Sequence, residues 1–476
     1  MSTTHRPLTV TALLLCMFMA AMEATVVATA MPTVVADLGG IELYGWVGAV
    51  YMLASTVTIP LYGKLADLYG RKPLLYFGIL LFMLGSIASG LSGSMYQLIG
   101  FRAVQGFGAG ALQPIALTVV GDLYAPAERA RVQGLFGAVW GFAGIAGPLL
   151  GGVIVKALSW HWVFFLNVPF GALAALILAA SFRESVESRD HRLDVGGALV
   201  LSGGIVATLL FTSGVRPLLS AALAVILLIL FIYIERRATE PILPMSLLRR
   251  PVIAVSSVAG AILGAAMMAT LTYVPLFIQG VLQGSPTDAG SAITPMLIGW
   301  PIAATLSGKL IVRIGYRPMV RTGAVIVFLS TLLLALKIDK DTTLWLLRAS
   351  MGALGVGLGL ANTALIIAVQ DSVDWQQRGV ATASTMFFRL IGGAIAVGAL
   401  GALLVSSLDA SIPSAQLNEL LSPEHGRALG SALTGSIVAM LMVGLRRVFW
   451  AVAVCAAFGV LAALAFPRRG PERAVS

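Results

Sequence analysis

The chain has 476 residues, 58% of them hydrophobic and only 11% charged, with a net charge of +10. Soluble domains carry about 25% charged residues, so this composition excludes a soluble body of comparable length. It reads instead as repeated membrane-spanning helices of about 20 apolar residues each. The basic surplus does not point to nucleic acid, because Lys and Arg fall into short segments between apolar runs, which is a topology pattern. Cys16 and Cys455 both sit in apolar segments, where neither a disulfide nor a metal site is expected.

In chain order, the first span is predicted over about 9–33. Arg6, an apolar run and Ala28-Thr29-Ala30 give it the outline of a signal peptide. Cleavage is not expected, because the run is long, contains Glu23 and recurs later in the chain. Five more spans follow at about 45–65, 73–92, 97–121, 131–155 and 162–181. A charged loop from Arg183 to Asp194 leads to two spans near 195–214 and 217–235, and a second charged loop runs from Glu235 to Arg250. The last six spans are predicted over about 252–280, 288–311, 318–336, 343–369, 379–405 and 446–466. Before the final one, 406–445 forms a long outer segment whose apolar end, Ser431 to Val443, is expected to lie along the outer surface as a helix.

The pattern of six, two and six is a duplication. Gly63, Lys64, Leu65, Gly70 and Pro73 recur 245 residues later as Gly308, Lys309, Leu310, Gly315 and Pro318. The same shift lays Ala21-Met22-Glu23-Ala24-Thr25 on Ala266-Met267-Met268-Ala269-Thr270, so one carboxylate, Glu23, faces Met268. Repeats in a membrane protein are a transporter architecture, and an intramembrane acid marks a functional site. With the N-terminus inside, inner segments hold 21 Lys and Arg and outer segments seven, which places both termini in the cytoplasm.

Several stretches resemble the major facilitator superfamily. Residues 63–73, Gly-Lys-Leu-Ala-Asp-Leu-Tyr-Gly-Arg-Lys-Pro, resemble its signature between spans two and three. Gly63 and Gly70 suit a tight turn, and Gly63, Asp67, Gly70, Arg71 and Lys72, with Arg131 from the next inner loop, are expected to form a conformational latch. Val312 stands where Asp67 would recur, so a second latch is expected to be weaker. Arg102-Ala-Val-Gln-Gly resembles the superfamily's fourth-span arginine motif and is repeated as Arg348-Ala-Ser-Met-Gly. Gly144, Gly147, Pro148, Gly151 and Gly152 resemble the antiporter motif of drug exporters, whose small residues let helices pack closely. Met22-Glu23 through Pro32, and Trp160-His161-Trp162 through Gly171, resemble the fourteen-helix drug–proton antiporter branch. In that branch most members carry Asp where Glu23 stands.

The resemblance implies an all-α polytopic membrane protein with the major facilitator fold. An N-terminal six-helix bundle would occupy 1–182, a linker with two added helices 183–250, and a C-terminal bundle 251–476. It implies a proton-coupled exporter of amphipathic, often cationic, drugs or related hydrophobic compounds in the plasma membrane. The alternative cargo is a lipid or secondary metabolite. Glu23 would carry the proton and Arg102 would steer it. Cavity candidates are Met19, Met22, Met268, Thr270, Tyr273, Trp46, Tyr51, Trp300 and Arg389, with Met267 beside them. His161 is read as an interface residue. The chain has no P-loop and no convergent nucleophile, base or metal cluster, so neither an enzyme nor a cofactor is expected, and the proton gradient is the energy source. A monomer is expected, with protons, small molecules and the bilayer as partners.

Overall fold

Lipid offers backbone N–H and C=O groups no partners, so each apolar run satisfies its own as a helix. The structure is a computed structural model that describes residues 4–39, 43–184, 194–212, 216–238, 241, 243–284, 286–407 and 431–467. The first half comprises α1 (Arg6–Leu38), α2 (Tyr44–Tyr69), α3 (Arg71–Gly90), α4 (Met95–Leu123), α5 (Pro126–Ala157), α6 (His161–Phe165) and α7 (Asn167–Ser181). Then come α8 (Val195–Thr212), α9 (Pro217–Glu235) and the short α10 (Met245–Leu248). The second half comprises α11 (Pro251–Gly280), α12 (Pro286–Ile314), α13 (Tyr316–Lys337), α14 (Leu344–Asp371), α15 (Arg378–Val405) and α16 (Ser431–Leu464).

Twelve helical segments among the described residues are long and apolar enough to cross a membrane. The expected fourteen included α5 and α8, which are helices of 32 and 18 residues but stand outside those twelve. The predicted sixth span is broken at Leu166, between α6 and α7. Pro169 lacks the N–H that would have bonded back across the break.

The packing repeats as the sequence does. In the first half α1 packs on α5 and α7, and α4 on α2 and α3; in the second, α11 packs on α15 and α16, and α14 on α12 and α13. Contacts between the halves are reciprocal: α5 lies on α12 and α15 on α2. Helices α8 and α9 pair with each other, and α9 turns Leu218, Leu219, Ile226 and Ile229 outward.

One expected element is corrected. The segment from Ser431 to Val443 is not a separate surface helix but the first part of α16, a continuous helix of 34 residues. At 1.5 Å per residue it is about 51 Å long, well beyond the roughly 30 Å hydrocarbon core. Gly444 does not break it. A Cβ there would come 2.7 Å from Leu404 Cδ1, so the glycine serves the crossing with α15. Residues 408–430 of the outer segment lie outside the described residues.

Candidate functional site

Glu23 and Arg102 meet inside the first half. Both side chains are buried, and an Arg102 Nη1 hydrogen donates to Glu23 Oε1 in a direct ion pair. The pair sits in a closed polar network. Arg102 also donates to Gln105 Oε1 at 2.7 Å and, through Nε, to the Val47 carbonyl at 3.2 Å. Asn167 Nδ2 donates to Glu23 Oε2 at 2.6 Å and to Ser86 Oγ at 3.0 Å, while Ser86 donates to the Phe164 carbonyl at 2.8 Å. The guanidinium lies 4.3 Å from the Tyr51 ring centroid. Arg102 therefore does not reach out to the interface. A charge this deep is tolerable only when paired, and α1, α4 and α7 each supply part of the pairing.

Helix α5 joins this network to the rest of the molecule. A Cβ added to Gly147 would come 2.1 Å from Thr25 Oγ1, two residues beyond Glu23 on α1. Along the same helix, a Cβ on Gly134 would come 2.3 Å from Thr305 Oγ1 of α12, and Cβ atoms on Gly137, Gly141 and Gly144 would approach Pro301 and Leu297 at 2.9–3.1 Å. The glycine seam therefore begins earlier on α5 than the expected motif and includes that motif's Gly144 and Gly147. Gly151 is buried, Gly152 faces open space, and the Pro148 side chain lies outside the described residues.

A cavity of about 210 Å³ lies between the halves. Met17, Gln133, Phe136 and Trp140 line it from the first half, and Met268, Trp300, Asn362 and Arg389 from the second. Of the nine expected cavity residues only Met268, Trp300 and Arg389 line it, with Met267 beside them. Tyr51 lies against Arg102 instead, and Met19 is packed on Gly171 of α7. Met22 belongs to the first-half core, Thr270 bonds its own helix, Tyr273 donates to the Val397 carbonyl, and Trp46 is exposed. Helical periodicity explains this: Met19, Met22 and Thr270 project from the sides of α1 and α11 that face their own bundles. Among the described residues the cavity lining contains no carboxylate, so none there offers the expected cationic cargo a counter-charge.

At one end of the molecule the halves are tied together. Asp67 accepts from Arg71 Nη2 at 2.8 Å and from the backbone N–H groups of Gly379 and Val380 at 2.9 and 2.7 Å. A carboxylate of one half thus caps the N-terminus of α15 in the other. Gly63 and Gly379 permit the approach, since a Cβ on Gly63 would lie 2.9 Å from the Gly379 carbonyl oxygen. Gly70, at φ 94°, and Gly315, at φ 83°, make the repeated turns in backbone that only glycine adopts freely. Arg71 stacks 3.9 Å from the Trp375 ring centroid. Glu184 accepts from the backbone N–H groups of Arg71 and Lys72 at 3.0 and 2.8 Å. Two further ion pairs cross between the halves: Arg378 to Asp122 at 3.1 Å and Arg129 to Asp371 at 2.5 Å.

A model of the Major Facilitator Superfamily matches residues 13–397. The chain belongs to the major facilitator superfamily. It is 34% identical to the multidrug transporter protein MdtP of Bacillus subtilis, over 96% of this chain and 92% of that protein. It is 35% identical to multidrug resistance protein 3 of the same organism, over 87% of this chain and 82% of that one. Among solved structures, the human organic anion transporter MFSD10 superposes with a TM-score of 0.65 at 15% identity, covering 96% of this chain and 99% of that one. The proton:xylose symporter XylE superposes with a TM-score of 0.64 at 12% identity, covering 96% and 94%. At those identities the structures speak for the fold alone. This major facilitator is a multi-pass membrane transporter and not an enzyme.

Within the major facilitator frame, sequence reasoning missed Asp122, Arg129, Asp371 and Arg378. The signal was present: Asp122 and Arg129 stand seven residues apart, and so do Asp371 and Arg378. Spacing suggests pairing within each half, yet each Asp bonds the other half's Arg. Arg131, expected in the latch, is exposed, with no ion pair to Asp67 among the described residues. It lies two positions beyond Arg129, on a different face of α5. His161 stacks on Trp160 with ring centroids 3.8 Å apart.

Proposed function

We propose that this chain is a fourteen-crossing, proton-coupled antiporter that exports amphipathic compounds across the cell membrane by alternating access. The observation that carries the reading is the buried Glu23–Arg102 pair, an intramembrane acid with a partner whose hold on it depends on its charge. The names of the two bacterial relatives favour drugs as cargo.

Protonation of Glu23 removes the charge that holds Arg102 and Asn167. Helix α1 carries Glu23, the cavity residue Met17 and Thr25, which fills the notch at Gly147. A shift of α1 therefore bears on α5, and α5 on α12. Because Glu23 does not line the cavity, proton and cargo communicate through these helices and not by contest for one carboxylate. The basic bias puts Asp67, Arg378–Asp122 and Arg129–Asp371 at the cytoplasmic end. The latch then holds that end shut, and opening it breaks all three ties together. One charge falling through 100 mV supplies about 2.3 kcal/mol, and a tenfold pH step about 1.4 kcal/mol.

In proteoliposomes with an imposed pH gradient, Glu23→Gln is expected to abolish uphill transport of an amphipathic dye while gradient-free exchange persists. Full uphill transport by that variant would refute the coupling role. A panel of drugs, lipids and secondary metabolites in the same assay separates the drug reading from the alternative cargo.

A further inference from the structure

The cavity lining includes hydrogen-bond donors that have no partner among the described residues. Arg389 offers five N–H groups; Nη1 donates to Asn362 Oδ1 at 3.0 Å, and Nε is buried without a partner. Gln133 Nε2 and Trp140 Nε1 are likewise buried and unpartnered, and both residues line the same cavity. All three orphaned groups are donors. They come from both halves, Gln133 and Trp140 from α5 and Arg389 from α15. Trp140 and Arg389 stand at matching places in the repeat, each eleven residues beyond its half's crossing arginine, Arg129 or Arg378.

Arg102 shows how this protein treats a guanidinium when the protein itself completes the site: a carboxylate, an amide oxygen, a carbonyl and an aromatic face surround it. Among the described residues of the cavity lining, Arg389 has one amide oxygen and no acidic neighbour. A buried cation without a counter-charge is costly, and a planar guanidinium matches carboxylate, sulfonate and phosphate groups. Arg389 is also fixed in place, because a Cβ on Gly264 would come 2.0 Å from its carbonyl oxygen and α11 therefore grips the backbone there.

Resting on the reading of this cavity as the cargo site, we propose that the preferred cargo is an amphipathic organic anion. Its carboxylate, sulfonate or phosphate is held by Arg389, Gln133 and Trp140, and its apolar body lies against Met268, Phe136 and Trp300. The anion bridges α5 and α15 and so draws the two halves together.

The test is a charge series on one aromatic frame: naphthalene-2-sulfonate, naphthalene-2-sulfonamide and naphthyl-trimethylammonium. Each is titrated calorimetrically into the full-length protein in phosphatidylcholine nanodiscs, with empty discs as control. The sulfonate is expected to bind at least about tenfold tighter than either isostere, the worth of a charge-assisted hydrogen bond. Arg389→Gln should erase that preference while leaving sulfonamide binding in place, Arg389→Lys should restore part of it, and Trp140→Phe should weaken the sulfonate alone. Equal or tighter binding of the cation, or a preference that survives Arg389→Gln, overturns the proposal. Unchanged sulfonate affinity in discs containing phosphatidylglycerol is expected; competition by that lipid would assign the site to a headgroup and overturn the soluble-anion class. No gradient is imposed, so the outcome is independent of Glu23. Anion preference without uphill transport would sink the coupling reading alone, and uphill transport without anion preference would sink this one alone.

Discussion

The two halves began as one sequence and have diverged at the positions that matter. In the first, Glu23 and Arg102 neutralise each other in a closed network. In the second, the corresponding residues have parted: Met268 lines the cavity, and Arg348 donates to Ser291 Oγ at 2.8 Å. Asp67 is buried as a cap on α15, whereas Val312 at the repeated place is exposed. The shared residues, such as Gly70 and Gly315, make the same turn twice. What duplication conserved is scaffold, and what it broke is chemistry.

The strongest way to break this contrast is Arg102→Met, which leaves Glu23 buried and unpaired. The expected loss is about 3–5 kcal/mol, read as reduced thermal stability in detergent. Adding Glu23→Met, which copies the second half, should recover most of it. A double variant no more stable than the single one would show that the two residues do not act as a pair.

Next in size is Asp67→Val, which copies Val312. It removes two backbone caps and an ion pair, and should shift the conformational balance toward an open end by about 1.5–3 kcal/mol. Spin labels at the adjoining ends of α2 and α15 report the separation. The reverse change, Val312→Asp, should leave the distances unmoved because that position faces outward. Smallest is Arg348→Met, which gives up one neutral-acceptor hydrogen bond at a part-buried site, about 1 kcal/mol by the same thermal assay. A loss as large as that of Arg102→Met would mean the halves are equivalent after all.

Much of the fold was legible because lipid imposes a simple rule: a long apolar run must be a helix. The repeat at Gly63 and Gly308 gave away the two-part plan, and Glu23 stood out because an acid is rare in such company. The crossing ties were harder to see. Asp122 and Arg129 have the same spacing as Asp371 and Arg378, and spacing alone cannot say which Asp meets which Arg. The separate surface helix failed because the apolar stretch from Ser431 to Val443 runs on through Gly444, a close contact with Leu404, into the last span as one helix.

By itself, then, the sequence determined the helices, the duplication and the position of the unusual acid, since these follow from local composition and the backbone's need for partners. Tertiary structure alone decided that Glu23 finds Arg102, that Asp67 caps the other half's helix, and that Arg389 with Gln133 and Trp140 faces a cavity whose described lining holds no carboxylate. Those pairings depend on which faces of distant helices meet, and only the packing of the whole bundle fixes that.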